Sequence, residues 1–97
     1  MEFPEPQPNE FTIYSKSGCP NCVKTKQLLN NHHLNYKVID CHEFLLENKE
    51  EFLLFIKKLA EKEYRTFPMV FDDKKFVGGF DDTKTYIDDI LAFNSAF

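Results

Sequence analysis

Phe11-Thr12-Ile13-Tyr14-Ser15-Lys16-Ser17-Gly18-Cys19-Pro20-Asn21-Cys22 is the stretch on which the fold turns. Its first part is apolar and reads as a strand over Phe11 to Ser15, with Phe11 and Ile13 on one face. Its end carries two cysteines one helical turn apart, followed by a helix-like run from Val23 to Asn31. Pro20 suits a first-turn position, where its missing N–H costs nothing, so a helix is predicted over Pro20 to Asn31. A thiol at a helix start faces free backbone N–H groups and the positive end of the macrodipole, which favour its thiolate. Thiolate, not thiol, is the nucleophile, so strand, turn and dithiol together point to redox chemistry.

Working outward, strand and helix patterns alternate. Asn35 to Ile39 reads as a second strand. Glu43 to Lys62 reads as helical, interrupted near Asn48, with Phe52, Ile56, Leu59 and Glu63 marking an i, i+4, i+7 stripe that is apolar until its last turn. Pro68 to Phe71 is a third strand, and Asp72-Asp73-Lys74-Lys75 turns the chain into a hairpin partner over Lys75 to Val77. Gly78-Gly79 breaks the pattern, and Asp82-Thr83 offers N-caps for a last helix with Tyr86, Ile90 and Phe93 along its inner side. The order β-α-β-α-β-β-α implies an α/β fold, a four-stranded mixed sheet flanked by helices on both faces. Residues 1–10 hold Pro4, Pro6 and Pro8 with three Glu, and read as a flexible tail that adds nothing to the core. Residues 11–97 are then the single domain.

Composition narrows the function classes. The chain has 97 residues and a net charge of −4, with no basic cluster, which argues against a nucleic-acid partner. The longest apolar run, Phe52-Leu53-Leu54-Phe55-Ile56, is far too short to span a membrane. No basic start followed by an apolar segment marks a signal peptide. Three cysteines without such a signal fit a reducing, cytoplasmic setting and functional thiols better than a disulfide framework. A monomer is expected.

C-x-x-C alone fits either a redox pair or half of a zinc site. The other candidate ligands, Cys41, His42, His32 and His33, do not repeat the pair with recognised spacing, and Pro20 favours a helix start over a metal knuckle. In the redox reading Cys19, at the exposed helix start, is the nucleophile. Cys22, partly buried inside the first turn, resolves the mixed disulfide. Lys16 is placed to favour the Cys19 thiolate, with Lys24 and Lys26 adding weaker potential; a solvated surface lysine is the plain alternative for Lys16. Cys41 reads as a small, partly buried residue, and His32 and His33 as solvated at a helix end.

Two further constellations bear on a ligand. In Thr66-Phe67-Pro68 a proline opens a strand; a cis peptide there would expose the backbone of Phe67 to a ligand, although a simple strand start explains Pro68 equally well. In Gly78-Gly79-Phe80-Asp81-Asp82 the glycines permit close backbone approach. The helix start can hold a carboxylate, and an Asp can accept from an ammonium. A turn followed by an N-cap is the bland reading.

Taken together, Tyr14 to Cys22, Arg65-Thr66-Phe67-Pro68-Met69-Val70-Phe71 and Val77 to Asp82 resemble the glutaredoxins of the dithiol class, over about residues 10 to 93. The resemblance implies a thioredoxin fold. It also implies a glutathione-dependent oxidoreductase that reduces protein disulfides and glutathione mixed disulfides, with glutathione as co-substrate and no metal. By position it implies Cys19 as the thiol that takes up glutathione and Cys22 as the resolving thiol. Lys16 would meet the glycine carboxylate, and Phe67, before a cis Pro68, would pair through its backbone with the cysteinyl moiety. Asp81 and Asp82, with the adjacent backbone at Gly79 and Phe80, would hold the γ-glutamyl end. Thr66 matches the same motif, and Arg65, Lys57 and Lys58 are candidates for a second cation, a position the longer segment Glu61 to Tyr64 leaves unaligned. Asn21 stands where the family has Tyr or Phe, and Phe67 where it has Val. Implied partners are disulfide-bonded or glutathionylated proteins, with ribonucleotide reductase among them. Two alternatives are a redoxin that is fed by thioredoxin reductase and serves ribonucleotide reductase, against which Thr66 and the Gly78-to-Asp82 element speak, and a glutathione-ligated iron–sulfur carrier, against which Pro20 speaks.

Overall fold

The computed structural model describes residues 2–95, and their side chains as far as Ala92. The elements are β1 (Phe11–Ser15), α1 (Pro20–Asn31), β2 (Tyr36–Asp40), α2 (His42–Glu47), α3 (Lys49–Ala60), β3 (Met69–Asp72), β4 (Lys75–Gly78) and α4 (Phe80–Ser95). The sheet order is β2-β1-β3-β4. β1 and β2 are parallel, and the other two pairs are antiparallel. This is the mixed four-stranded sheet that the element order implies.

Successive strand residues point to opposite faces, and each face is covered. Phe11, Ile13 and Val70 pack against Leu29 of α1 and Ile87 of α4. Tyr14, Met69 and Phe71 pack on the opposite face against Phe52, Leu53 and Ile56 of α3. Phe52 is fully buried, and truncating it to Ala would cost about 3–5 kcal/mol. Two of the three buried threonines bond one turn back: Thr25 Oγ1 donates to the Asn21 carbonyl and Thr83 Oγ1 to the Gly79 carbonyl, each at 2.7 Å. Among the described residues no buried side-chain polar atom lacks a partner.

The pairings Ser15–Asp40, Tyr14–Met69 and Val70–Gly78 fix the site's location. They bring the ends of β1, β2 and β4 and the beginning of β3 to one edge of the sheet. The loops carrying Lys16 to Cys19, Arg65 to Pro68 and Gly79 all leave from that edge.

Four expectations need correction. The interruption expected near Asn48 (φ −141, ψ 43) divides this segment into α2 and α3, but α3 ends at Ala60 rather than Lys62, closed by Glu61 in the left-handed region (φ 61). α4 begins at Phe80, two residues before the expected Asp82-Thr83 caps. Its inner side carries Thr83 and Ile87, whereas Ile90 is 38% exposed, so the expected Tyr86–Ile90 stripe is rotated by one position. Thr83 can face inward because its hydroxyl bonds its own helix. The side chain of Phe93 lies outside the described residues.

The fourth correction concerns the first ten residues, which do add to the core. The Phe3 ring packs edge-on against Phe44 and Phe52, at 5.1 and 5.4 Å between centroids. The Tyr14 hydroxyl donates to the Pro4 carbonyl at 2.6 Å, and the Gln7 N–H donates to Thr12 Oγ1 at 2.8 Å. Composition obscured this. One aromatic anchor suffices for a segment whose prolines already restrict the unfolded chain and so reduce the entropy lost on ordering.

Candidate active site

Cys19 caps α1. Its backbone is extended (φ −114, ψ 101), Pro20 follows at the first helical position, and its Sγ accepts from the Cys22 N–H at 3.1 Å. Gly18, with φ 67, makes the left-handed step that brings the chain from β1 into the cap. Cys19 and Cys22 are joined as a disulfide, with Cα atoms 5.2 Å apart. Cys19 is 9% exposed and Cys22 1%. The order of accessibility is the expected one, but Cys19 is more covered than a helix start alone suggests. Its sulfur turns back into the first turn to meet Cys22. No acidic residue lies in the first turn of α1, so nothing there offsets the positive end of the helix.

At the same end of the sheet as this cap lies a groove of about 230 Å³ lined by Lys16, Leu45, Lys49, Leu53, Arg65 and Phe67. The Lys16 ammonium stands 5.6 Å from the Phe67 ring centroid. The Phe67 ring stacks on Phe52 at 6.4 Å, with the planes 6° apart. The Phe67–Pro68 peptide is cis. Arg65 is held by Glu50 at 3.2 Å and Glu63 at 3.8 Å. Exposed pairs of this kind are worth about 0–1 kcal/mol, so Arg65 can exchange them for a ligand carboxylate. Thr66 is exposed and does not line the groove.

Lys49 is the residue that sequence reasoning missed. It opens α3 directly after the break at Asn48, and that break was its one signal in the sequence. Lys57 and Lys58 lie in the last turn of α3 and do not line this groove. Lys58 instead borders a separate cavity of about 530 Å³ with Phe3, Leu54 and Phe55.

The Gly78-to-Asp82 element meets the cis-proline motif through close approach of its backbone. A Cβ on Gly79 would lie 2.8 Å from the Tyr64 hydroxyl and 3.8 Å from the Pro68 carbonyl, so this glycine sits against the cis proline. Gly78 has φ 127, and a Cβ there would strike the Asp82 carboxylate. The Lys24 ammonium, 5.9 Å from the Phe80 ring centroid, ties α1 to the start of α4. Asp81 and Asp82 are exposed in the first turn of α4. They do not line the Lys16–Phe67 groove; Asp82 borders a different cavity with Phe76 and Tyr86.

Cys41 is fully buried, and burial pushes its thiol up to about 12. Its Sγ–H faces the Ile39 carbonyl at 3.5 Å. It is a core residue, as expected. Among the described residues no three His, Cys, Asp or Glu side chains converge as a metal site, and no helix is long and apolar enough to cross a membrane.

The glutaredoxin family model matches residues 11–77. Glutaredoxin 1 of Rickettsia typhi is 41% identical over 70 residues, covering 72% of this chain and 62% of that relative. Human mitochondrial glutaredoxin-2 is 35% identical over 75 residues, covering 77% of this chain and 43% of that relative. The chain therefore spans less than two thirds of the length of either. Among solved structures, glutaredoxin 1 from Francisella tularensis superposes with a TM-score of 0.73 at 25% identity, over 84% of this chain and 95% of that one. A buckwheat glutaredoxin–glutathione complex gives a TM-score of 0.65 at 24% identity, over 87% of this chain and 74% of that one. The shared architecture is the thioredoxin fold.

Proposed function

The chain belongs to the glutaredoxin family, and from that premise we propose that it is a glutathione-dependent thiol–disulfide oxidoreductase of the dithiol class. One observation carries the reading: a Cys19–Cys22 pair at a helix start shares its sheet edge with a groove holding three cationic side chains around Phe67. Glutathione has two carboxylates and one ammonium group and is net anionic, which suits that groove. Lys16, with Lys49 and Arg65, receives the glycine carboxylate. The backbone of Phe67, outside the β ladder that begins at Met69, pairs with the cysteinyl moiety. The start of α4 takes the γ-glutamyl carboxylate on its N–H groups, with Asp81 and Asp82 accepting from the ammonium. That a buckwheat neighbour of the same fold was solved with glutathione agrees with this reading.

The chemistry proceeds by exchange at sulfur. The Cys19 thiolate attacks the glutathione sulfur of a mixed disulfide, and the substrate leaves as a thiol. The thiolate of a second glutathione then attacks the glutathione sulfur on Cys19, releasing oxidised glutathione and restoring the Cys19 thiolate. With a protein disulfide, Cys19 first forms a mixed disulfide to the substrate. Cys22 attacks Cys19, the substrate leaves fully reduced, and two glutathiones return the Cys19–Cys22 disulfide to the dithiol. Substrates are glutathionylated and disulfide-bonded proteins, among them ribonucleotide reductase, and the protein acts as a cytoplasmic monomer, where glutathione is kept reduced.

The test is the rate of reduction of a glutathionylated peptide with glutathione as donor, set beside the rate with thioredoxin reductase. The reading expects fast turnover with glutathione alone. Turnover only with thioredoxin reductase would reverse the choice of donor.

A further inference from the structure

Residues 2–10 join the fold at a point that leads to the groove. Phe3 sits among aromatic rings, 5.1 Å from Phe44 and 5.4 Å from both Phe52 and Phe55 between centroids. Phe52 is the hub: it is fully buried, and Phe67 stacks on it at 6.4 Å with nearly parallel planes. Phe67 in turn lies under the Lys16 ammonium. A line of ring contacts thus runs from Phe3 through Phe52 and Phe67 to Lys16. Neither Phe3 nor Phe52 lines the groove itself. The segment is also pinned independently, since the Pro4 carbonyl accepts from the buried Tyr14 hydroxyl at 2.6 Å and the Tyr14 ring lies 6.0 Å from Phe52.

Phe3 and Phe67 are half-buried on either side of the fully buried Phe52, and a close-packed ring passes strain from one neighbour to the next. Without Phe3, Phe52 gains room on one side, and the parallel seat beneath Phe67 loosens. We propose that Phe3 is a positioning residue: acting through Phe52, it holds the Phe67 ring, and with it the floor of the cationic groove, in the geometry that receives glutathione. This rests on the reading of that groove as the glutathione site. The first ten residues are then a strap that tunes the site from the far side of the core.

The full chain is tested as Phe3→Ala, as Phe3→Tyr, which keeps the ring, and as Tyr14→Phe, which frees the Pro4 carbonyl without removing a ring. Two readouts are taken: the kinetics with glutathione, and the Phe67 ring resonances by NMR without glutathione, assigned from Phe67→Leu. Phe3→Ala is expected to raise KM for glutathione about three- to tenfold with kcat unchanged, and to shift the Phe67 resonances. Phe3→Tyr restores both, and Tyr14→Phe moves both in the same direction by less, which carries the test if Phe3→Ala does not fold. A role in core stability alone would lower Tm and the active fraction but leave KM and the Phe67 resonances where they were; that result overturns the proposal. Inactivity of the wild-type chain with glutathione would sink the functional reading instead. Displaced Phe67 resonances in Phe3→Ala would then still support the strap, and unmoved ones would still overturn it.

Discussion

The Lys16 ammonium stands 5.6 Å from the centroid of the Phe67 ring, which joins the loop before Cys19 to the loop before the cis proline. A cation over an aromatic face at an exposed site is worth about 0.5–1 kcal/mol, enough to bias where the ammonium rests but not to hold it against a carboxylate. Lys16→Gln is therefore expected to raise KM for glutathione about two- to fivefold, and Lys49→Gln by a similar factor. Both effects should shrink as salt is raised, because the Debye length falls from about 8 Å at 0.15 M to about 3 Å at 1 M. Equal losses at low and high salt would show that neither lysine acts through its charge.

The unequal burial of Cys19 and Cys22, 9% against 1%, predicts unequal variants. Cys19→Ser should abolish reduction of a glutathionylated peptide, since no other accessible thiol stands at the helix start. Cys22→Ser should keep that reaction and lose reduction of a protein disulfide, which needs the second thiol to release the substrate. Full turnover by Cys19→Ser in the coupled glutathione assay would remove the assignment.

Gly79 lies against both Tyr64 and the cis proline, which makes it a sensitive position. A methyl there would press on the Tyr64 hydroxyl at 2.8 Å and contact the Pro68 carbonyl. Gly79→Ala should cost about 1–3 kcal/mol of stability, because the Tyr64 hydroxyl must give way. Gly79→Ala combined with Tyr64→Phe, which removes the hydroxyl, should recover most of the stability measured by urea unfolding. An unchanged loss in the double variant would place the strain elsewhere.

Much of this site is legible locally. Cys19 at a cap, Pro20 at the first helical position and Pro68 before a strand are each marked by neighbours in sequence. The alternation of patterns gives the sheet order its outline. Lys49 and Phe3 were not legible, because what each of them meets is far along the chain. Nothing near Lys49 says that it shares a groove with Lys16, and nothing near Phe3 says that three aromatic rings await it. The face of α4 was misread for a different reason. Thr83 counts as polar in any hydrophobic period, yet its hydroxyl is spent on the Gly79 carbonyl and its methyl end can be buried.

The buried Cys41 thiol predicts an alkaline limit to stability. Burial pushes it from an ordinary 9.0 to about 12 in the folded chain. Between those values the unfolded chain ionises this thiol while the folded chain keeps its proton. The unfolded state thus binds fewer protons, and stability falls as pH rises. The slope approaches about 1.4 kcal/mol per pH unit, with the contribution fully present below pH 9. Tyr14 and Tyr86, both pushed up mainly by burial from 10.0, add to the loss only at higher pH. The window from about pH 9 to 10 therefore isolates Cys41 among these three. Cys41→Ala should be less stable than the wild type at pH 7, by about 1–2 kcal/mol for the lost packing. It should then lose little more between pH 9 and 10, so the two urea-unfolding curves converge as pH rises. Measured on the oxidised protein, parallel losses in wild type and Cys41→Ala across that window would show that the buried thiol does not set the limit.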